Sequence, residues 1–179
     1  MKFRYFLILT IGFLVSATSA QEAVKGKVIP GFGPTYPIED PEFKTDLSEA
    51  YKVVFDISKA PENPAQINKY IEGVARFLNM HHEAGKPMNT ISVYVVVHGE
   101  AANSLLKNEF YKEIYQQNNP NIGLLEALSQ NNVEIILCGQ TAVHRNITKE
   151  RRIPETSLAL SAMTALIQLQ NDGYRLISF

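Results

Sequence analysis

The chain has 179 residues, a formal net charge of -1 and a single cysteine, Cys138. The charge argues against nucleic acid or an anionic membrane surface as a partner. One cysteine excludes a disulfide-stapled mini-domain and leaves a free thiol, an intermolecular crosslink or a small buried side chain.

Residues 1–20 read as a secretory signal. Lys2 and Arg4 form a positive start, Phe6 to Val15 is apolar apart from Thr10 and Gly12, and Thr18-Ser19-Ala20 supplies small residues before a cut at Gln21. The apolar run is shorter than the span of about 20 residues that a membrane helix needs. Cleavage leaves 159 residues with 15 basic and 18 acidic side chains, a net charge of -3. That length suits one domain, in a periplasmic or secreted location, with no membrane attachment after cleavage.

Residues 21–50 carry Pro30, Pro34, Pro37 and Pro41 among Gly31, Gly33 and acidic residues, which predicts an extended arm. It is either a disordered lead or a segment crossing the domain or a neighbouring subunit. Regular structure is expected over 51–179. Tyr51 to Ile57 is a β-branched and aromatic run, the first strand. Asn63-Pro64 reads as a helix start, with Ile67, Ile71, Val74 and Leu78 on one face and Gly85 and Pro87 at its end. Ile91 to Val97 is a second strand, apolar enough to be covered on both faces.

Asn103 is expected to open a helix carrying Leu105, Leu106, Phe110 and Ile114, broken by Asn119-Pro120, which starts another with Leu124, Leu125 and Leu128. Val133 to Leu137 is a third strand. A short helical turn after Gly139 contains His144 and Arg145. Pro154 is expected to open the last helix, with Leu158, Ala162, Ala165, Leu166 and Leu169 inward, before Asp172-Gly173 and a closing strand, Tyr174 to Ser178. Strands alternating with helices imply an α/β fold of three layers, with a central, mostly parallel sheet of about five strands.

Parallel strands present their carboxyl ends at one edge, where ligand groups gather. Asp56, His98-Gly99 and Cys138-Gly139 all fall there, and His144 and Arg145 can fold back over the thiol. A thiolate is the nucleophilic form of cysteine, and a helix N-terminus or a nearby cation favours it. In this reading Gly139 permits a tight turn, Thr141 caps the next helix, and His98, His144 or Arg145 supplies charge or a proton. The bland reading is an inert, well-packed cysteine.

Adjacent His81 and His82 point to different helix faces, so no metal is expected from them. No zinc spacing, dinucleotide fingerprint, phosphate loop or hydrolase elbow occurs, and no cofactor is expected. The last helix, counted with Ala159 and Leu160, is apolar on most sides, which points to burial against a subunit or deep in the core.

From Tyr51 to Phe179 the chain resembles the DsrE/DsrF-like family, whose fold is also called YchN-like. The likeness rests on Lys52-Val53-Val54-Phe55-Asp56, Ala75-Arg76-Phe77-Leu78-Asn79-Met80-His81, Val95-Val96-Val97-His98-Gly99, Leu137-Cys138-Gly139-Gln140, and Ala162-Met163-Thr164-Ala165-Leu166 through Asp172-Gly173-Tyr174-Arg175-Leu176-Ile177. The resemblance implies a compact domain in homo-oligomers, trimers or hexamers. It also implies a persulfide carried on a cysteine after the third strand, here Cys138, which would exchange sulfur with a donor and an acceptor thiol. His98-Gly99 matches a His-Gly pair typical of the most similar subgroup. The export signal and the Pro-rich arm depart from the minimal domain. Two other classes compete with sulfur transfer: an oligomeric module that binds a small ligand or partner without turnover, and a redox sensor that pairs Cys138 between subunits.

Overall fold

A computed structural model describes residues 22–179, so the signal read in residues 1–20 lies outside the described residues. The elements follow in the order β1 (Tyr51–Ile57), α1 (Lys69–Glu83), β2 (Ile91–Val97), α2 (Asn108–Tyr115), α3 (Ile122–Gln130), β3 (Val133–Cys138), α4 (Gly139–His144), β4 (Thr156–Ala159), α5 (Ala162–Asn171) and β5 (Arg175–Ser178). The five strands form one sheet in the order β4-β3-β2-β1-β5. Every pairing is parallel. The α/β class and the three-layer architecture are as expected.

Side chains alternate across each strand, and that parity sorts the core. Val53, Phe55 and Ile57 of β1, Val93, Val95 and Val97 of β2, and Val133, Ile135 and Leu137 of β3 face one side. There they pack with Ile71, Val74 and Leu78 of α1 and with Leu124, Leu125 and Leu128 of α3. The opposite face holds Val54, Val96 and Cys138, covered by Ala162, Ala165 and Leu169 of α5. Asp56 has the parity of Val54, and His98 that of Val96. The polar ends of three strands therefore emerge on the α5 side.

Three helix starts differ from the sequence reading. Asn63 forms a local turn, with its Oδ1 accepting from the Ala65 N–H at 2.9 Å. The true cap of α1 is Asn68, whose side chain accepts from the Tyr70 N–H at 3.0 Å. Residues after His98 form a 3-10 stretch, Gly99–Leu105, and the backbone turns extended at Leu106 before α2 starts at Asn108. The largest correction concerns 154–161. Thr156–Ala159 is an edge strand, β4, and α5 begins only at Ala162, capped by Ser161, whose hydroxyl accepts from the Thr164 N–H at 3.0 Å.

The arm lies on its own domain. Val24 and Thr35 form an antiparallel bridge, and Ile29 is fully buried in the main core. Asn79 of α1 is the anchor. Its Oδ1 accepts from the N–H groups of Val28 and Ile29 at 3.1 and 2.8 Å. Its Nδ2 donates to the carbonyls of Phe32 and Gly33 at 2.9 and 3.1 Å. Gly33 has φ +59, and a side chain there would strike the Arg76 backbone, so the arm and helix are in backbone contact. Farther along, buried Lys86 donates its ammonium to the carbonyls of Asp46 and Glu49 and sits 3.8 Å over the Tyr51 ring.

Candidate functional site

Asp56 closes β1, His98 follows β2 and Cys138 closes β3. The register pairs Asp56 with Val96 and Val97 with Leu137, so His98 and Cys138 come one residue later on neighbouring strands. Adjacent strands lie about 4.8 Å apart, which makes the two residues neighbours at one edge of the sheet. His98 stays extended and its N–H donates to the Ile57 carbonyl at 3.0 Å, continuing the ladder past β2. Its Nε2 is 2.8 Å from Asp56 Oδ1, with both side chains partly exposed. With its Nε2 proton held by Asp56, a neutral imidazole presents Nδ1 as an acceptor.

Gly99 follows with φ +56, where an added Cβ would come within 3.2 Å of the Ser58 carbonyl oxygen. Glycine is therefore needed for the turn that sends the Gly99 N–H to Thr141 Oγ1, at 3.2 Å.

Cys138 is 5 % exposed and occupies the N-cap position of α4. Burial pushes its thiol pKa up. Against this, hydrogen bonding toward the sulfur from the Thr141 N–H, the Thr141 hydroxyl and the N–H groups of Ala162 and Gln140 pulls it down, and the balance falls below the ordinary value. None of these closes a capping bond of standard geometry. They act as dipoles aimed at a large, diffuse sulfur. The sulfur is thus buried, yet polar groups from two helix starts surround it.

The role of Gly139 differs from the expected turn. Helix α4 starts directly at this residue, and the demand on it is close approach. A Cβ there would lie 2.5 Å from the Ala159 carbonyl oxygen and 3.0 Å from that of Leu160. Only glycine lets the start of α4 press on the β4–α5 loop, which brings the Ala162 N–H to the sulfur. Gln140 reinforces the same junction by donating Nε2 to the Leu160 carbonyl at 3.2 Å.

His144 is the last residue of α4 and Arg145 its C-cap. A rise of about 1.5 Å per residue carries them roughly 9 Å along the helix from Cys138, so they do not fold back over the thiol. Thr141 sits inside α4 and does not cap it. His81 serves packing: its Nδ1 is 2.7 Å from the Phe77 carbonyl, and its ring contacts Tyr51 and Phe77. The described residues contain no cluster of three or more potential metal ligands, and no helix among them is long and apolar enough to cross a membrane.

Sequence reasoning identified Asp56, His98, Gly99, Cys138 and Gly139 as edge residues. It missed the Ala162 N–H, because a backbone donor leaves no mark on residue identity. It also missed the link from Thr141 to Gly99.

Two solved structures share this architecture. One is MTH1491, a protein of unknown function from Methanobacterium thermoautotrophicum, and the other is the ychN protein of E. coli. Each aligns with a TM-score of 0.53 and 16% identity over 72% of this chain and 99% of its own. No curated protein matches the sequence. The model of the DsrE/DsrF-like family matches residues 52–179, from β1 to the C-terminal residue, and the chain belongs to that family.

Proposed function

We propose that the protein is an exported carrier of sulfane sulfur that works through Cys138. The observation carrying this reading is the ring of donors around the sulfur, which favours the thiolate despite burial. The Cys138 thiolate attacks the outer sulfur of a persulfide donor. A new S–S bond forms on Cys138, the donor's S–S bond breaks, and its electron pair leaves with the donor thiolate. Release reverses the roles. An acceptor thiolate takes the outer sulfur, and Cys138 departs as a thiolate. A lowered pKa helps this second step, since a more acidic thiol is a better leaving group. His98, oriented by Asp56, takes the proton from the acceptor thiol. Exposure to inorganic polysulfide should add the mass of one sulfur atom to the protein, and Cys138→Ser should abolish the gain. An equal gain in the serine variant would place the chemistry elsewhere.

The 5 % exposure of Cys138 favours the other reading, a binding module without turnover. In that case Cys138 would resist alkylation in the folded protein and take up no sulfur.

The carrier is further proposed to be a homo-oligomer. Parallel sheets are covered on both faces, but a single helix, α5 (Ala162–Asn171), packs on this side of five strands. Leu160, Met163 and Ile167 remain 72%, 72% and 59% exposed. A groove of about 460 Å³ runs beside α5 over Ile136 and Ala159. A second copy covering this face would remove that apolar surface from water. Met163→Asp combined with Ile167→Asp should reduce the mass measured by sedimentation equilibrium to that of one chain, without lowering helix content. An unchanged mass would remove α5 from the interface.

A further inference from the structure

We infer that Thr141 is the positioning residue of the thiol site, because its hydroxyl is oriented by the Gly99 N–H so that its single proton is directed at the Cys138 sulfur. The inference rests on the thiolate reading above and adds a specific hydroxyl that sustains it.

A hydroxyl has one proton and two lone pairs. The Gly99 N–H donates to Thr141 Oγ1 at 3.2 Å, which occupies a lone pair and leaves the proton for another acceptor. The Cys138 sulfur, three positions back at the start of α4, is the group on which this hydroxyl acts. Thr141 is half-buried, and the β-branch limits it to few rotamers on a helix. The donor is fixed as firmly. Gly99 holds φ +56 beside the Ser58 carbonyl, and the next turn is tied by the Ala101 N–H donating to that carbonyl at 3.0 Å. The loop that carries His98 thereby sets the orientation of the hydroxyl facing the sulfur on the next strand. The hydroxyl stabilises a sulfur anion and has no such effect on the neutral thiol.

The test is a pH titration of thiolate ultraviolet absorbance, with the Cys138→Ser titration subtracted to remove the tyrosines. It needs no reagent to reach the buried sulfur. Thr141→Val keeps the shape and deletes the hydroxyl. It should raise the thiolate midpoint by about one pH unit, the size of one charge-assisted hydrogen bond. Thr141→Ser should titrate close to wild type. Thr141→Ala provides a second deletion if the valine variant does not fold.

A wild-type midpoint in the valine or alanine variant overturns the inference, as does a serine variant shifted as far as valine, which would assign the effect to the methyl group. A loss of thermal stability with an unmoved midpoint would mark a purely structural residue. Polysulfide uptake measured on the same samples separates the two proposals. A shifted midpoint without sulfur uptake in wild type sustains the positioning role and removes the carrier. Uptake with unmoved midpoints does the reverse.

Discussion

Replacing Gly139 with alanine is expected to cost about 3 kcal/mol of stability and to raise the Cys138 thiol midpoint toward its ordinary value. The methyl group would lie 2.5 Å from the Ala159 carbonyl oxygen, and the obstacle is backbone on both sides, so no side chain can swing away. Either α4 or the β4–α5 loop must retreat. Each movement draws the Ala162 N–H from the sulfur, and burial, which pushes the thiol up, is then less opposed. The sign of the pH dependence follows. A folded pKa below the unfolded one adds stability as pH rises through the interval between them, and that contribution is lost as pH falls through the folded value. Wild type should therefore gain stability on approaching the ordinary thiol pKa of about 8.5, and Gly139→Ala should gain less. Urea melts of both proteins across this range measure the difference. A variant with full stability and an unaltered slope would show that the contact with the Ala159 carbonyl yields easily.

The same junction shows where sequence reasoning succeeds and where it stops. β1, β2, β3 and β5 are legible because β-branched and aromatic runs are bounded by turn residues. Their period of two also places Asp56, His98 and Cys138 on one face, once the strands are parallel. β4 was illegible for a physical reason. Thr156-Ser157-Leu158-Ala159 is a short edge strand with little apolar character, and Leu158, Ala162, Ala165 and Leu169 mimic a helical face in their spacing. Reading 154–171 as one helix buries Leu158, whereas it is largely exposed on the sheet edge. That error hid the start of α5, and with it the second group of N–H donors at the sulfur. His144 and Arg145 looked close to the thiol in sequence, but a helix converts six positions into distance along its axis. The arm was undecidable because its anchor, Asn79, reads as one more polar residue on an amphipathic helix until its four backbone partners are seen.

Asparagines hold the edge loops as well, and Asn119→Ala is expected to have the largest effect on stability, about 4 kcal/mol. Asn119 Nδ2 donates to the carbonyls of Ser104 and Leu106 at 2.8 and 2.7 Å. Its Oδ1 accepts from the N–H and Nδ2 of Asn121, both at 2.9 Å. Asn121 Oδ1 in turn accepts from the Asn68 N–H at 2.7 Å, and Asn68 Nδ2 donates to the Lys59 carbonyl at 2.9 Å. The chain of bonds joins the loops after β1 and β2 to the starts of α1 and α3. Alanine removes four bonds at once, and all the groups left behind belong to buried residues. Water cannot easily replace them, so their desolvation is uncompensated. Asn119→Asp should restore only the acceptor half, because a carboxylate accepts and cannot donate to the Ser104 and Leu106 carbonyls. The loops so fixed are those that continue from Asp56 and His98-Gly99. Amide exchange should therefore accelerate at Gly99 and Ala101 in the alanine variant, ahead of exchange in the β1–β2 ladder. If exchange there keeps its wild-type rate while global stability falls, the network supports the fold without fixing the site.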